Sequence, residues 1–105
     1  MTKIITSQHY LNDEIVAGKL AAADFAVTLS PAFEIDGETY AVLLDGHHSL
    51  AAALLAGQEP AATIADASMD DRVGVLESAG VEDFLETCHM GEGDYIDART
   101  RQYVW

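Results

Sequence analysis

Residues Tyr40–Gly57 read YAVLLDGHHSLAAALLAG. Tyr40–Leu44 is an uninterrupted apolar run of strand length. Asp45-Gly46 breaks it, and His47–Ala56 reads as a helix with Leu50, Ala53 and Leu54 on its inner face. Gly57 is a natural C-terminal stop, because glycine adopts the left-handed conformation that ends helices. A strand, a tight turn and a helix are therefore expected here, with the helix N-terminus as the best candidate site.

Working outward, Asp36-Gly37 lies between AFEI and ETYA. That dipeptide is preferred in two-residue hairpin turns, where both positions need positive φ. FAVTLS at 25–30 suits a half-buried strand that Pro31 ends, and Pro60–Ile64 suits another. Ile4 and Ile5 begin a short strand. Asn12 or Asp13 reads as the N-cap of a helix over 14–23, with Ile15, Val16, Lys19 and Leu20 at helical spacing. Ser68 and Asp71 have capping-box spacing before a helix with Met69, Val73 and Leu76 inward. Gly80 closes that helix. A second one carries Val81, Phe84, Leu85 and Cys88 inward and ends at Gly91. The tail DYIDARTRQYVW reads as a last strand or hairpin, in which Tyr103 and Trp105 either pack on the core or form a contact patch. The predicted architecture is a single α+β domain over 1–105, with a motif core at 25–66 and an acidic helical and strand tail at 67–105.

Eighteen Asp and Glu face five Lys and Arg, a formal net charge of -13. Nucleic-acid binding draws most of its affinity from cations set against phosphates, so direct binding to DNA or RNA is not expected. Basic protein surfaces and metal ions are favoured instead. Ten of the acids fall between 66 and 97, where Arg72 is the only Lys or Arg. The helical pattern turns Asp66, Asp70, Asp71, Glu77, Glu82, Asp83 and Glu86 outward, as a candidate interaction surface or a plain solvated face. No run of 18–20 apolar residues suggests a membrane span, and no leader is visible. One cysteine, Cys88, makes no intrachain disulfide, which fits a reducing cytoplasm.

The hairpin, apolar strand, DGHHS turn and alanine-rich helix together resemble the ParB/sulfiredoxin-like superfamily. Its core motif runs from an apolar strand through Asp/Gly-Gly, a variable residue, His or Glu and Arg into a helix ending in Ala-Gly. Here the corresponding residues are Val42-Leu43-Leu44-Asp45-Gly46-His47-His48-Ser49, then Leu50-Ala51-Ala52-Ala53 to Ala56-Gly57. The resemblance covers residues 25–66, and a ParB-like branch with paired histidines, D-x-H-H-L, is similar. It implies a turn and helix N-terminus that hold nucleotide phosphates, with Gly46, His47, His48 and Ser49 as the phosphate-binding residues. The free-serine kinases of the superfamily place the equivalents of Asp45 and His48 in the site and follow them with Arg. Ser49 stands where that Arg is expected, so a guanidinium fork is replaced by a hydroxyl. Sulfiredoxin has its catalytic cysteine at the position of His47, where this chain has no thiol. A chain of this length leaves no room for the helix-turn-helix of ParB proteins.

Residue by residue, plainer roles stand beside these. His47 and His48 suit proton transfer at neutral pH, but neighbours on a helix point ~100° apart, which disfavours one shared metal ion, and no metal site is assigned. Equally, one faces solvent while the other caps the strand end. Asp45 either orients a histidine or holds Mg²⁺, or serves only as a turn residue. Thr28, Ser30 and Glu34 lie on the same sheet edge, Glu34 as a candidate base, and His9 and His89 are isolated. Two functions follow. One is a non-catalytic acidic interaction module that mimics nucleic-acid charge, as anti-CRISPR or anti-restriction inhibitors do. The alternative is a nucleotide- or phosphometabolite-binding enzyme using Asp45, His47 and His48, with Mg²⁺ to help the phosphates approach.

Overall fold

A computed structural model describes residues 2–89 and 94–105. Its elements are β1 (Lys3–Thr6), α1 (Asp13–Ala21), β2 (Ala26–Leu29), β3 (Phe33–Ile35), β4 (Glu38–Asp45) and α2 (His47–Ala56). The chain continues with β5 (Ala61–Ile64), α3 (Asp71–Ser78), α4 (Val81–Cys88) and β6 (Ile96–Asp97). Gly91 and Glu92 lie outside the described residues. The six strands form one mixed sheet in the order β5-β2-β4-β1-β6, with β3 also on β4. The architecture is α+β.

The apolar run at 40–44 is the centre of this sheet. One edge of β4 pairs in parallel with β1, while the other pairs antiparallel with β3 near its start and with β2 near its end. Tyr40, Val42 and Leu44 point to one face, where Phe33, Val73, Phe84, Leu85, Cys88 and Tyr95 pack. Ala41 and Leu43 point to the other, beside Ile4, Val27, Leu29 and Leu50. A strand covered on both faces reads as continuous hydrophobicity rather than alternation, which is the pattern in the sequence. The layers are α1 and α2, the sheet, then α3 and α4.

The hairpin forms where Asp36-Gly37 places it, with φ of +51° and +83°. The β2–β4 ladder shifts register between Thr28 and Leu29, and Pro31, which follows the strand, has no N–H to offer, leaving a gap before β3. Ser30 bridges this gap. Its N–H donates to Val42 O, and its hydroxyl accepts from Val42 N and donates to Pro31 O, each at 2.9 Å. Ser30 is fully buried. Ser30→Ala orphans the buried Val42 N–H and is expected to cost about 1–3 kcal/mol in urea unfolding.

Three details differ from the sequence reading. First, Asp70 caps α3, accepting from Arg72 N, whereas Ser68 is held in a separate turn by Asp66. Met69 consequently falls before the helix and is 58% exposed. In α2 the buried face is Ser49, Leu50, Ala52 and Ala53, set by packing against both α1 and β2; Leu54 turns outward, 39% exposed. Of the α1 stripe only Val16 is buried, behind an N-cap that is Asn12. The tail forms the expected last strand, two residues on β1, with a return bridge between Ile96 and Tyr103 and the Trp105 ring tilted at 53° to Tyr95, centroids 6.0 Å apart.

Arg72 ties α3 to the sheet. Its guanidinium grips Asp70 through Nε and a terminal nitrogen, and also donates to Leu44 O. The hydrogen bond from Arg72 holds the Asp70 carboxyl below its usual range, despite partial burial. A lowered native value gives stability that is complete above the unfolded-state pKa, ~3.9, and is lost as pH falls through the native one. Asp70→Asn keeps the cap but removes the charge. It is expected to cost about 1 kcal/mol at neutral pH, with the gap to the parent closing at acid pH in stepped urea titrations.

Candidate functional site

The DGHHS turn is built by a close approach of backbones. Gly46 sits at φ +94°, and a Cβ there would lie 2.7 Å from Ala26 O and 2.9 Å from the Val27 Cα. Asp45 Oδ1 accepts from Gly46 N at 2.9 Å, so the carboxylate fastens the turn itself. No side chain among the described residues caps α2, and its first turn carries no acid. The helix thus presents its positive end to a polar cleft of about 450 Å³. Asp45, Gly46, His47, His48 and Ser49 all line this cleft, so the predicted residues are brought together.

The two histidines diverge. His47 Nε2 lies 2.8 Å from Thr6 Oγ1, which also accepts from Gln8 N. His48 Nε2 accepts from Asn12 N at 3.1 Å, which commits its lone pair and places the proton of the neutral ring on Nδ1. Both side chains therefore hold the segment between β1 and α1, and their Nε2 atoms serve different partners. Among the described residues no three His, Cys, Asp or Glu are grouped to hold a metal ion.

Four further residues complete the cleft, Ala26 of β2 and three polar ones, Gln8, Lys19 and Asp24. Lys19 Nζ lies 2.9 Å from Asp24 Oδ2. That hydrogen bond, and then one from Ala26 N, hold the Asp24 carboxyl below its usual range, with Ser49 as a lesser donor. Ser49, only 3% exposed, thus serves a carboxylate of the wall. Lys19 is the one Lys or Arg among the lining residues, where Asp24 and Asp45 are the two carboxylates. Nothing local signals this grouping, because residues 8, 19 and 24 reach the turn only through the packing of α1 on α2.

Other candidates lie elsewhere. Thr28 pairs with Asp45 in the sheet, Ser30 is spent on Val42, and Glu34 is exposed on β3 opposite Thr39, away from the turn. His9 Nε2 contacts Asp94 O, and the His89 ring lies edge-on to Tyr95. Cys88 is buried, and burial pushes its thiol up to about 11, so it stays protonated and unreactive near neutral pH. On the opposite layer Asp66, Asp71, Glu77, Glu82, Asp83 and Glu86 are exposed, as the helical pattern predicts. Asp70 is the exception, half-buried against Arg72. Among the described residues no helix is long and apolar enough to cross a membrane. No protein-family model, no curated protein and no solved structure matches the chain.

Proposed function

We propose that this chain is an acidic protein-interaction module on a ParB-like fold, acting without catalysis in a reducing cytoplasm. The α3–α4 layer and the turn before it imitate the charge of a nucleic acid and occupy a basic site on a protein partner, in the manner of an anti-CRISPR or anti-restriction inhibitor. One observation carries this reading. Asp66, Asp71, Glu77, Glu82, Asp83 and Glu86 are exposed on one layer, while Arg72, the only Lys or Arg nearby in sequence, is consumed by Asp70 and Leu44 O. That surface keeps its negative field uncompensated, which steers a basic partner and repels nucleic acid.

A Lys/Arg-rich peptide serves as the probe. Asp71→Asn, Glu82→Gln, Asp83→Asn and Glu86→Gln together are expected to weaken its binding at least tenfold at about 50 mM salt and to flatten the salt dependence. A control set of equal charge change uses Glu14→Gln, Glu34→Gln, Asp36→Asn and Glu59→Gln, all exposed away from α3 and α4. Equal losses in the two sets would mean that only net charge matters, and would sink the reading.

The second reading, a nucleotide- or phosphometabolite-binding enzyme, is favoured by the uncapped α2 N-terminus facing the polar cleft. Two carboxylates and one paired lysine suit a phosphate there only with a divalent cation such as Mg²⁺. A rise in Tm with nucleotide and Mg²⁺ that His48→Ala abolishes would overturn the non-catalytic proposal.

A further inference from the structure

Along α2, adjoining the polar cleft at His47, lies a second cavity, of about 340 Å³. Its walls are Val16, Leu43, Leu50, Ala51, Leu54 and Leu55, and Leu55 is 70% exposed. Arg99 and Arg101 line the same cavity and are themselves exposed, so they stand at its rim. They are two of the five Lys and Arg in a chain of net charge -13, and Asp13 is the one carboxylate among the lining residues. The local formal charge is thus opposite in sign to that of the whole chain.

The turn that carries both arginines is rigidly built. Asp97 Oδ1 accepts from Arg99 N at 2.8 Å and from Thr100 N at 3.2 Å, and Arg101 N donates to Asp97 O at 2.7 Å. Arg101 sits at φ +65°, a conformation a side-chain-bearing residue rarely adopts, and its guanidinium donates to His9 O. The Arg99 guanidinium pairs with Glu59 at 3.3 Å, and that carboxylate is 85% exposed. Such a contact is weak and easily exchanged, which leaves a fork of donors for an incoming anion.

We infer that this cavity binds a small amphipathic carboxylate, with its hydrocarbon tail between α1 and α2 and its carboxylate on Arg99 and Arg101. An apolar pocket with a few convergent polar groups is the usual form of a small-molecule site, and its size lies at the lower end of the ~300–1,000 Å³ range. Charge complementarity selects a monoanion with a short apolar tail. An acidic peptide or a second copy of the chain would bring further negative charge to a -13 surface. The inference is independent of the acidic layer, which lies across the sheet.

Titration calorimetry with hexanoate, octanoate and decanoate tests it, with amide NMR to locate the site. Affinity is expected to rise about fourfold per methylene until the cavity is full. Shifts should centre on Ala51, Leu54 and Ala98, which line the cavity. Arg99→Gln with Arg101→Asn, the latter chosen because Asn tolerates positive φ, is expected to weaken carboxylate binding at least tenfold. The same variant should leave the weaker binding of the matching alkanol unchanged. Ala51→Trp fills the cavity and should abolish both; should that variant misfold, the exposed arginine pair still decides. Decylamine binding as well as decanoate, shifts mapping elsewhere, carboxylate binding indifferent to the arginines, or self-association through these residues would each overturn the inference.

Discussion

Gly46→Ala is expected to lower stability by about 3 kcal/mol or more, combining a left-handed backbone with a forced contact. The added Cβ would meet Ala26 O at 2.7 Å and the Val27 Cα at 2.9 Å. Both are backbone atoms of a sheet strand, so no side chain can swing aside. Relief requires the turn to lift off β2, carrying the N-terminus of α2 with it. For a chain of this size, each kcal/mol corresponds to about 4–8 °C in Tm, so a fall beyond about 10 °C is expected in calorimetry. Gly57→Ala is the matched control. Its φ is also positive, +66°, yet nothing lies within 4 Å of the added atom. That substitution should cost only about 1 kcal/mol, the conformational part alone. If the two variants melt together, the approach of β4 to β2 is not the constraint argued for it.

The same glycine shows which parts of the structure a sequence displays. Asp36-Gly37, the apolar run at 40–44 and the helix bounded by Gly46 and Gly57 were all legible, because each is governed by φ preferences or periodicity within a few residues. So was the outward turn of the α3 and α4 acids. That Gly46 must also be small, because Ala26 and Val27 approach it, depends on a strand twenty residues away in the chain. The α3 cap was misplaced for a related reason. Ser68 and Asp71 have the right spacing, but the Asp66 carboxylate captures Ser68 first, and Asp70 takes the cap. Lys19 and Asp24 in one cleft, and Arg99 and Arg101 in the other, carry no local mark. They reach α2 only once α1 and the tail fold across the sheet.

Phe84→Ala is expected to cost about 3–5 kcal/mol, a large share of the stability a domain of this size has. Phe84 is fully buried, and its ring meets Phe33 edge-on at 5.9 Å and 83°. It belongs to the same packed group as Val73, Leu85, Cys88 and Tyr95. The acids of α3 and α4 are thus presented on two eight-residue helices too short to be stable alone, and Phe84 is their central anchor on the sheet. Removing the ring leaves a cavity that backbone-bonded strands cannot close. Phe84→Leu retains most of the volume and should lose about 1 kcal/mol. The consequence should be local as well as global. In hydrogen exchange on Phe84→Ala, amides of α3 and α4 are expected to lose protection well before those of α1 and α2, which pack on the other face. Binding of the basic peptide should weaken in parallel, because acids on a fraying helix no longer hold a common surface. Carboxylate binding in the cavity beside α2 should persist under conditions where the sheet remains folded. Equal loss of protection on both faces would instead make the three layers one cooperative unit, and the acidic layer would then have no separate tether.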